Sequence, residues 1–185
     1  NDAGLVFAAS TVDGNLAATA TAGNITDGDA LTISGTSAFT TSTTDATITL
    51  DETSNAFTGD VTLSTTGNSA HATIHGGGTA LGFDASTVGG NLTLTSGEAI
   101  TDDGLLTIGG NLSATTDVNN KAITFGTLAV DGTIAVTTNG STGHVTVVDA
   151  SGLDLGASTV GGNLTATAVT GNISDSGNLT IAGTS

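Results

Sequence analysis

Asp102 and Asp103 stand side by side in Thr101-Asp102-Asp103-Gly104, and Asp27 and Asp29 flank a glycine in Thr26-Asp27-Gly28-Asp29. Two carboxylates held about 5–10 Å apart can cleave a glycosidic bond, one as acid and the other as base or nucleophile. Hard carboxylate oxygens on turns also suit calcium, which makes Asp27, Asp29, Asp102 and Asp103 candidate metal ligands. A third use needs neither substrate nor metal, since aspartate tolerates left-handed backbone and accepts hydrogen bonds from turn N–H groups. The corresponding stretch further along is Ser174-Asp175-Ser176-Gly177, where one carboxylate has gone. A turn tolerates that loss and a paired-acid mechanism does not. Turn chemistry is therefore the favoured reading, and no enzymatic activity is expected. The calcium β-roll spacing Gly-Gly-x-Gly-x-Asp is absent, because Gly76-Gly77-Gly78 runs on to Asp84 at another interval. No cofactor is required, with calcium the one ion these residues could hold.

Other reactive side chains are few. Lys121 is the sole basic residue, too little cationic chemistry for a lyase that must stabilise a carbanion. His71 and His75 lie four apart on a predicted strand and so face one side, but with no cysteine and no evident third ligand they read as surface histidines rather than a zinc site. His144 stands alone. Asn-x-Ser/Thr sequons occur at Asn24, Asn91, Asn111, Asn139, Asn163, Asn172 and Asn178. Asparagine recurs directly after glycine, which favours side chains that satisfy turn backbone, or stack as a ladder, over glycan acceptors. Rows such as Thr19 with Thr21, Thr93 with Thr95 and Thr137 with Thr138 raise ice binding as a rival function. Such a face needs Thr-x-Thr in every coil, and the counterparts of Leu94-Thr95 are Ala18-Thr19 and Ala114-Thr115, so the rows look irregular.

The elements that must carry these residues follow from composition. Across 185 residues, 10% are charged, 28 are glycine, and proline, cysteine, methionine, tryptophan and tyrosine are missing. Threonine, serine, valine and isoleucine suit a pleated backbone, and leucine recurs at alternating rather than helical spacing, so helix is expected nowhere. One lysine against 17 acidic residues gives a formal net charge of −16, which repels nucleic acid and anionic membranes. No run of 18 apolar residues predicts a membrane helix. A cysteine-free chain is compatible with an extracellular or cell-surface location.

Internal repetition decides the fold class. Ser10-Thr11-Val12-Asp13-Gly14-Asn15-Leu16 returns as Ser86-Thr87-Val88-Gly89-Gly90-Asn91-Leu92 and as Ser158-Thr159-Val160-Gly161-Gly162-Asn163-Leu164, at periods of 76 and 72 residues. Residues 10–37 and 158–185 agree at 19 of 28 positions. The chain divides into the end of a preceding repeat (1–9), one unit (10–85), a second (86–157) and the start of a third (158–185), together one continuous solenoid. A beat of about 20 residues runs inside the unit, as between Leu92 and Leu112, and a coil of that length with three short strands is what a β-helix needs. The expectation is an all-β, right-handed parallel β-helix with about three coils per 72–76-residue unit. Leu92, Leu94, Val61, Leu63, Val145 and Val147 should face inward, and Phe7, Phe39, Phe57, Phe83 and Phe125 should fill the core. The longer intervals 61–91 and 134–163 read as long turns, the place for loops and ligand contacts. An open β-helix end is an unpaired sheet edge, and neither end shows a cap, which predicts part of a longer array.

The run Ser86-Thr87-Val88-Gly89-Gly90-Asn91-Leu92-Thr93-Leu94-Thr95, followed by Ala99-Ile100-Thr101-Asp102-Asp103-Gly104-Leu105-Leu106-Thr107-Ile108-Gly109-Gly110, resembles the repeats of large bacterial filamentous-haemagglutinin-like exoproteins and related adhesins. Asn55-Ala56-Phe57-Thr58-Gly59-Asp60-Val61-Thr62-Leu63 is similar to an arm common in such proteins. The resemblance implies a right-handed β-helix exported across an outer membrane, by two-partner or autotransporter secretion, to act as a fibre in attachment, cell–cell contact or matrix formation. Its expected partners are neighbouring repeats, other copies in a fibre or bundle, and a host or bacterial surface glycan or protein. The chain has no arginine, hence no Arg-Gly-Asp motif, and its motifs mark a scaffold.

Overall fold

Apolar residues alternate with threonine over three to five positions and then give way to glycine, asparagine or aspartate, so each strand has one face to bury and a corner to turn. The computed structural model describes residues 4–185, and residues 1–3, the start of the 1–9 segment, lie outside it. Twenty-four short strands and no helix make up the described residues. Every pairing between them is parallel, each strand lying on its counterpart in the next coil, and the chain is a right-handed β-solenoid of about eight turns. Steps of roughly 4.8 Å give a rod on the order of 40 Å long.

One sheet can be followed along the rod by its paired residues, Leu5–Ile25–Ile48–Ala72–Leu92–Leu112–Ile134–Leu155. A second holds Leu16–Ala20, Ser37–Thr41, Val61–Ser64 and, higher up, Ile123–Val130, Val145–Asp149 and Leu164–Ala168. A small third sheet, Ser10–Val12, Leu31–Ile33 and Ala56–Phe57, closes the lower coils. Between the sheets lies one continuous core of leucine, isoleucine, valine and alanine. The inward positions expected at Val61, Leu63, Leu92, Leu94, Val145 and Val147 are all buried. Phe39, Phe57, Phe83 and Phe125 are 0% exposed, and Phe7, Phe39 and Phe57 stack edge to face with centroids 6.2 Å apart, the arrangement aromatic quadrupoles favour.

The repeat unit is longer than the three coils its spacing suggests. Seven steps of the ladder carry Leu5 to Leu155, whereas two repeat periods, from Ser10 to Ser158, carry Leu5 only to Leu153. One unit therefore spans three and a half coils. The strand after the first marker, Leu16–Ala20, lies in the second sheet, its copy Leu92–Ser96 lies in the first, and Leu164–Ala168 returns to the second. The intervals 61–91 and 134–163 are accordingly not long turns. The first contains the strands Val61–Ser64, Ala72–His75, Leu81–Phe83 and Ser86–Val88, and the second Ile134–Thr137, Val145–Asp149, Leu153–Leu155 and Ser158–Val160. Their extra length is half a coil of ordinary strand.

The widest corners are clamped from inside. Thr41, Thr65, Thr116 and Thr138 point into the rod, and each donates its hydroxyl to the carbonyl five residues on, at Ala46 (3.3 Å), Ala70 (2.9 Å), Lys121 (3.3 Å) and Gly143 (2.6 Å). Thr138, expected in an outward row with Thr137, is thus a buried corner residue: the alternation that buries Ile134 and Val136 and turns Thr137 outward carries Thr138 back inward.

Candidate functional site: the side-chain rungs at the corners

Each residue of the marker Ser-Thr-Val-Gly-Gly-Asn-Leu has a separate task. Val61–Ser64 pairs with two short strands of the next coil, Val61 with Phe83 and Ser64 with Thr87, so the upper coil carries one residue more than the lower between those points. Such a bulge displaces a carbonyl and would leave an N–H without a partner. The Ser86 hydroxyl fills the gap, accepting the N–H of Leu63 at 3.0 Å and donating to the Asp84 carbonyl at 2.8 Å. Ser158 repeats this, accepting from Val136 at 3.0 Å and donating to Gly156 at 2.9 Å. The next two residues, threonine and valine, face outward and inward as alternation requires.

The glycines make room for the asparagine. Asn91 Oδ1 accepts the N–H of Asn111 at 2.9 Å, and Asn111 Oδ1 in turn accepts the N–H of Thr133 at 2.9 Å. Asn15 and Asn163 accept from Thr36 and Thr184 in the same way. Each side chain lies across the residue before the N–H it caps. A Cβ on Gly110 would stand 2.3 Å from Asn91 Oδ1, and one on Gly132 would stand 2.2 Å from Asn111 Oδ1. The asparagine ladder read from the sequence is thus a column of side-chain caps, each reaching one coil upward. Asn24 and Asn120 do likewise, to Thr47 and Thr142.

The candidate calcium ligands are used in a similar way. Asp27 accepts the N–H of Asp51 (3.1 Å) and the Asn55 side-chain amide (2.6 Å), and Asp102 accepts Gly126 N–H (2.6 Å), Thr127 N–H (2.8 Å) and the Thr127 hydroxyl (3.0 Å). Both oxygens of each carboxylate are engaged. Asp29 caps Ala30 N–H at 2.8 Å, and Asp103 is exposed. Glycine apart, left-handed backbone among the described residues falls not at these four but at Asp45 (φ 63°) and Asn120 (φ 67°). Among the described residues, no three histidine, cysteine, aspartate or glutamate side chains gather as a metal-holding group. Sequence reading missed Asp149, fully buried two residues before Ser151, whose N–H and hydroxyl it accepts while also capping Val130 N–H at 3.0 Å. Its place as the last residue of an alternating strand was the available signal.

The cations are spoken for. Lys121 Nζ meets Glu98 Oε2 at 2.5 Å, and His75 Nε2 lies 3.5 Å from Asp117 Oδ2 while its Nδ1 accepts Gly77 N–H at 3.0 Å. His71 Nδ1 accepts the N–H of Asn91 at 2.8 Å. His71 and His75 therefore each turn a ring nitrogen to backbone instead of converging on a metal.

Outside, the pairing gathers threonines that the sequence comparison kept apart. One column of the first sheet runs Thr26–Thr49–Thr73–Thr93–Ser113, and beside it runs Thr95–Thr115–Thr137–Thr159–Thr180. Thr19, the supposed counterpart of Thr95, belongs to the other sheet. The columns end at Ala135 and at His75.

Parallel coils, a narrow aliphatic core and polar side-chain rungs at the corners define a β-solenoid repeat protein. The chain belongs to a family described as Repeats of unknown function (DUF5649), which matches residues 1–64, 67–119 and 142–185. No curated protein and no solved structure matches it.

Proposed function

We propose that this chain is a load-bearing segment of a large bacterial fibre, secreted or held at the cell surface, that serves attachment, cell–cell contact or matrix formation. The observation that carries this reading is the unbroken parallel ladder through nine strands of one sheet, from Leu5–Phe7 to Ile173–Asp175, with its side-chain rungs repeated at the corners. A pull along the rod is shared among backbone hydrogen bonds and side-chain caps in every coil. Acidic surface charge keeps neighbouring rods apart and wet. The resemblance of Asn55–Leu63 and of the marker runs to filamentous-haemagglutinin-like repeats supports export and display, with a surface glycan or protein as partner. The test is antibody labelling of intact producing cells and of their culture medium, alongside an in-frame deletion of the repeats. Labelling outside the cell and weakened attachment or aggregation on deletion are expected. Protein confined to the cytoplasm overturns the proposal.

A second reading, an ice-binding face, is favoured by the two adjacent threonine columns, which set methyl and hydroxyl groups at strand spacing on a sheet without charge between Thr93 and Thr137. Thermal hysteresis in the purified chain, abolished by Thr95→Lys with Thr115→Lys, is its expected sign. Freezing without hysteresis ends that reading.

A further inference from the structure

His71 and His144 occupy the rung positions that asparagine fills elsewhere. His71 Nδ1 accepts the N–H of Asn91 at 2.8 Å and His144 Nδ1 accepts the N–H of Asn163 at 2.9 Å, one coil up in both cases. The glycines before those asparagines are shaped to them: a Cβ on Gly90 would stand 2.4 Å from His71 Nδ1, and one on Gly162 would stand 2.5 Å from His144 Nδ1. The two histidines are equivalent in the repeat, each four residues after a left-handed glycine, Gly67 (φ 111°) or Gly140 (φ 81°). The same device was thus built twice, each time directly beneath a Gly-Gly-Asn-Leu marker.

An asparagine oxygen accepts at any pH, whereas imidazole Nδ1 accepts only while it carries no proton, and protonation turns it into a donor facing another donor. We infer that His71 and His144 are proton-sensitive rungs, which hold the marker coil to the coil below when neutral and release that corner when protonated. Both rings are exposed to solvent protons. Residues beneath them in the facing strands are Thr47 and Ala122, next to Ile48 and Ile123 of the paired positions Ile48–Ala72 and Ile123–Val145. Nearby titratable groups on those coils are Asp45, which caps Ser69 N–H at 2.9 Å, and Lys121, already paired with Glu98. The overlying segments 89–91 and 161–163 carry none. Neither ring has a carboxylate partner of the kind Asp117 offers His75, so protonation at 71 and 144 loses a bond and gains no ion pair among the described residues.

The test is site-resolved amide hydrogen exchange on the whole chain across an acid titration, with the ring nitrogen resonances of the histidines followed in the same sample. Asn111 and Thr133, held by asparagine oxygens, serve as internal references. Protection of Asn91 and Asn163 is expected to fall at least tenfold relative to the references as the two rings take up protons. In His71→Asn the fall disappears at Asn91 and persists at Asn163, so one molecule carries both the variant and its control. A constant ratio through the titration overturns the inference, and so does a neutral-pH ring spectrum with the proton on Nδ1.

Discussion

The Ser86 hydroxyl accepts the Leu63 N–H at 3.0 Å, a side chain standing in for the carbonyl that a bulge has moved away. Ser86→Ala leaves that N–H buried without a partner, which costs about 1–3 kcal/mol. Ser158→Ala, which orphans the Val136 N–H, should behave alike, and chemical denaturation of both variants measures the loss. Thr87→Ala, one residue on and exposed, should stay within about 0.5 kcal/mol of the parent and provides the control.

Gly110→Ala would press a methyl against Asn91 Oδ1 and against the Gly90 backbone, whose carbonyl oxygen lies 2.9 Å from the added Cβ. Overpacking of this kind costs roughly 1–3 kcal/mol. Removing the amide by Asn91→Ala in the same chain should relieve only part of it, because the backbone contact stays. A double-mutant cycle by thermal denaturation is therefore expected to show coupling, and strict additivity would contradict the stacked geometry.

Thr138→Val keeps the shape and removes the hydroxyl that donates to Gly143 at 2.6 Å, with an expected loss of about 1–2 kcal/mol. Thr116→Val acts on a longer bond of 3.3 Å and should cost less. Comparing the two denaturation midpoints checks whether the inner clamps hold the corners.

Asp102 spends both carboxylate oxygens on Gly126 and Thr127. Calcium titration followed by calorimetry is expected to give a weak, unsaturating response matched by magnesium, as screening of a −16 chain would. Asp102→Asn should lower the melting temperature in calcium and in chelator equally. A saturable calcium-specific rise lost in that variant would instead assign the metal to this corner.

Much of this molecule is written locally. Period-two alternation places Leu92, Leu94, Val145 and Val147 inward without any knowledge of topology, and the recurrence of Gly-Asn places the corners. The side-chain caps at Asn91 and Asn111 follow from that recurrence too. What alternation cannot carry is phase around the rod. Thr95 and Thr19 look equivalent because they follow the same marker, yet they lie on different sheets, since the unit is a half-integral number of coils. The interval 61–91 resembles one long turn for the same reason, because an additional half-coil and an inserted loop lengthen the spacing alike. Thr138 and Asp149 escaped for a different reason: alternation places both inward, after Ile134 and Val136 and after Val145 and Val147, but a polar side chain at a strand end reads as the start of a corner and not as the last inward position.

Three and a half coils per unit gives the rod a pseudo-twofold screw axis along its length. Whatever a unit displays beside its marker is shown alternately to the left and to the right, and comes back to the same side only after seven coils, on the order of 34 Å. A rod wound this way has no unique lateral face. Its opposite sides carry equivalent tracts, staggered by half that distance, so anything meeting the rod from either direction would encounter the same surface.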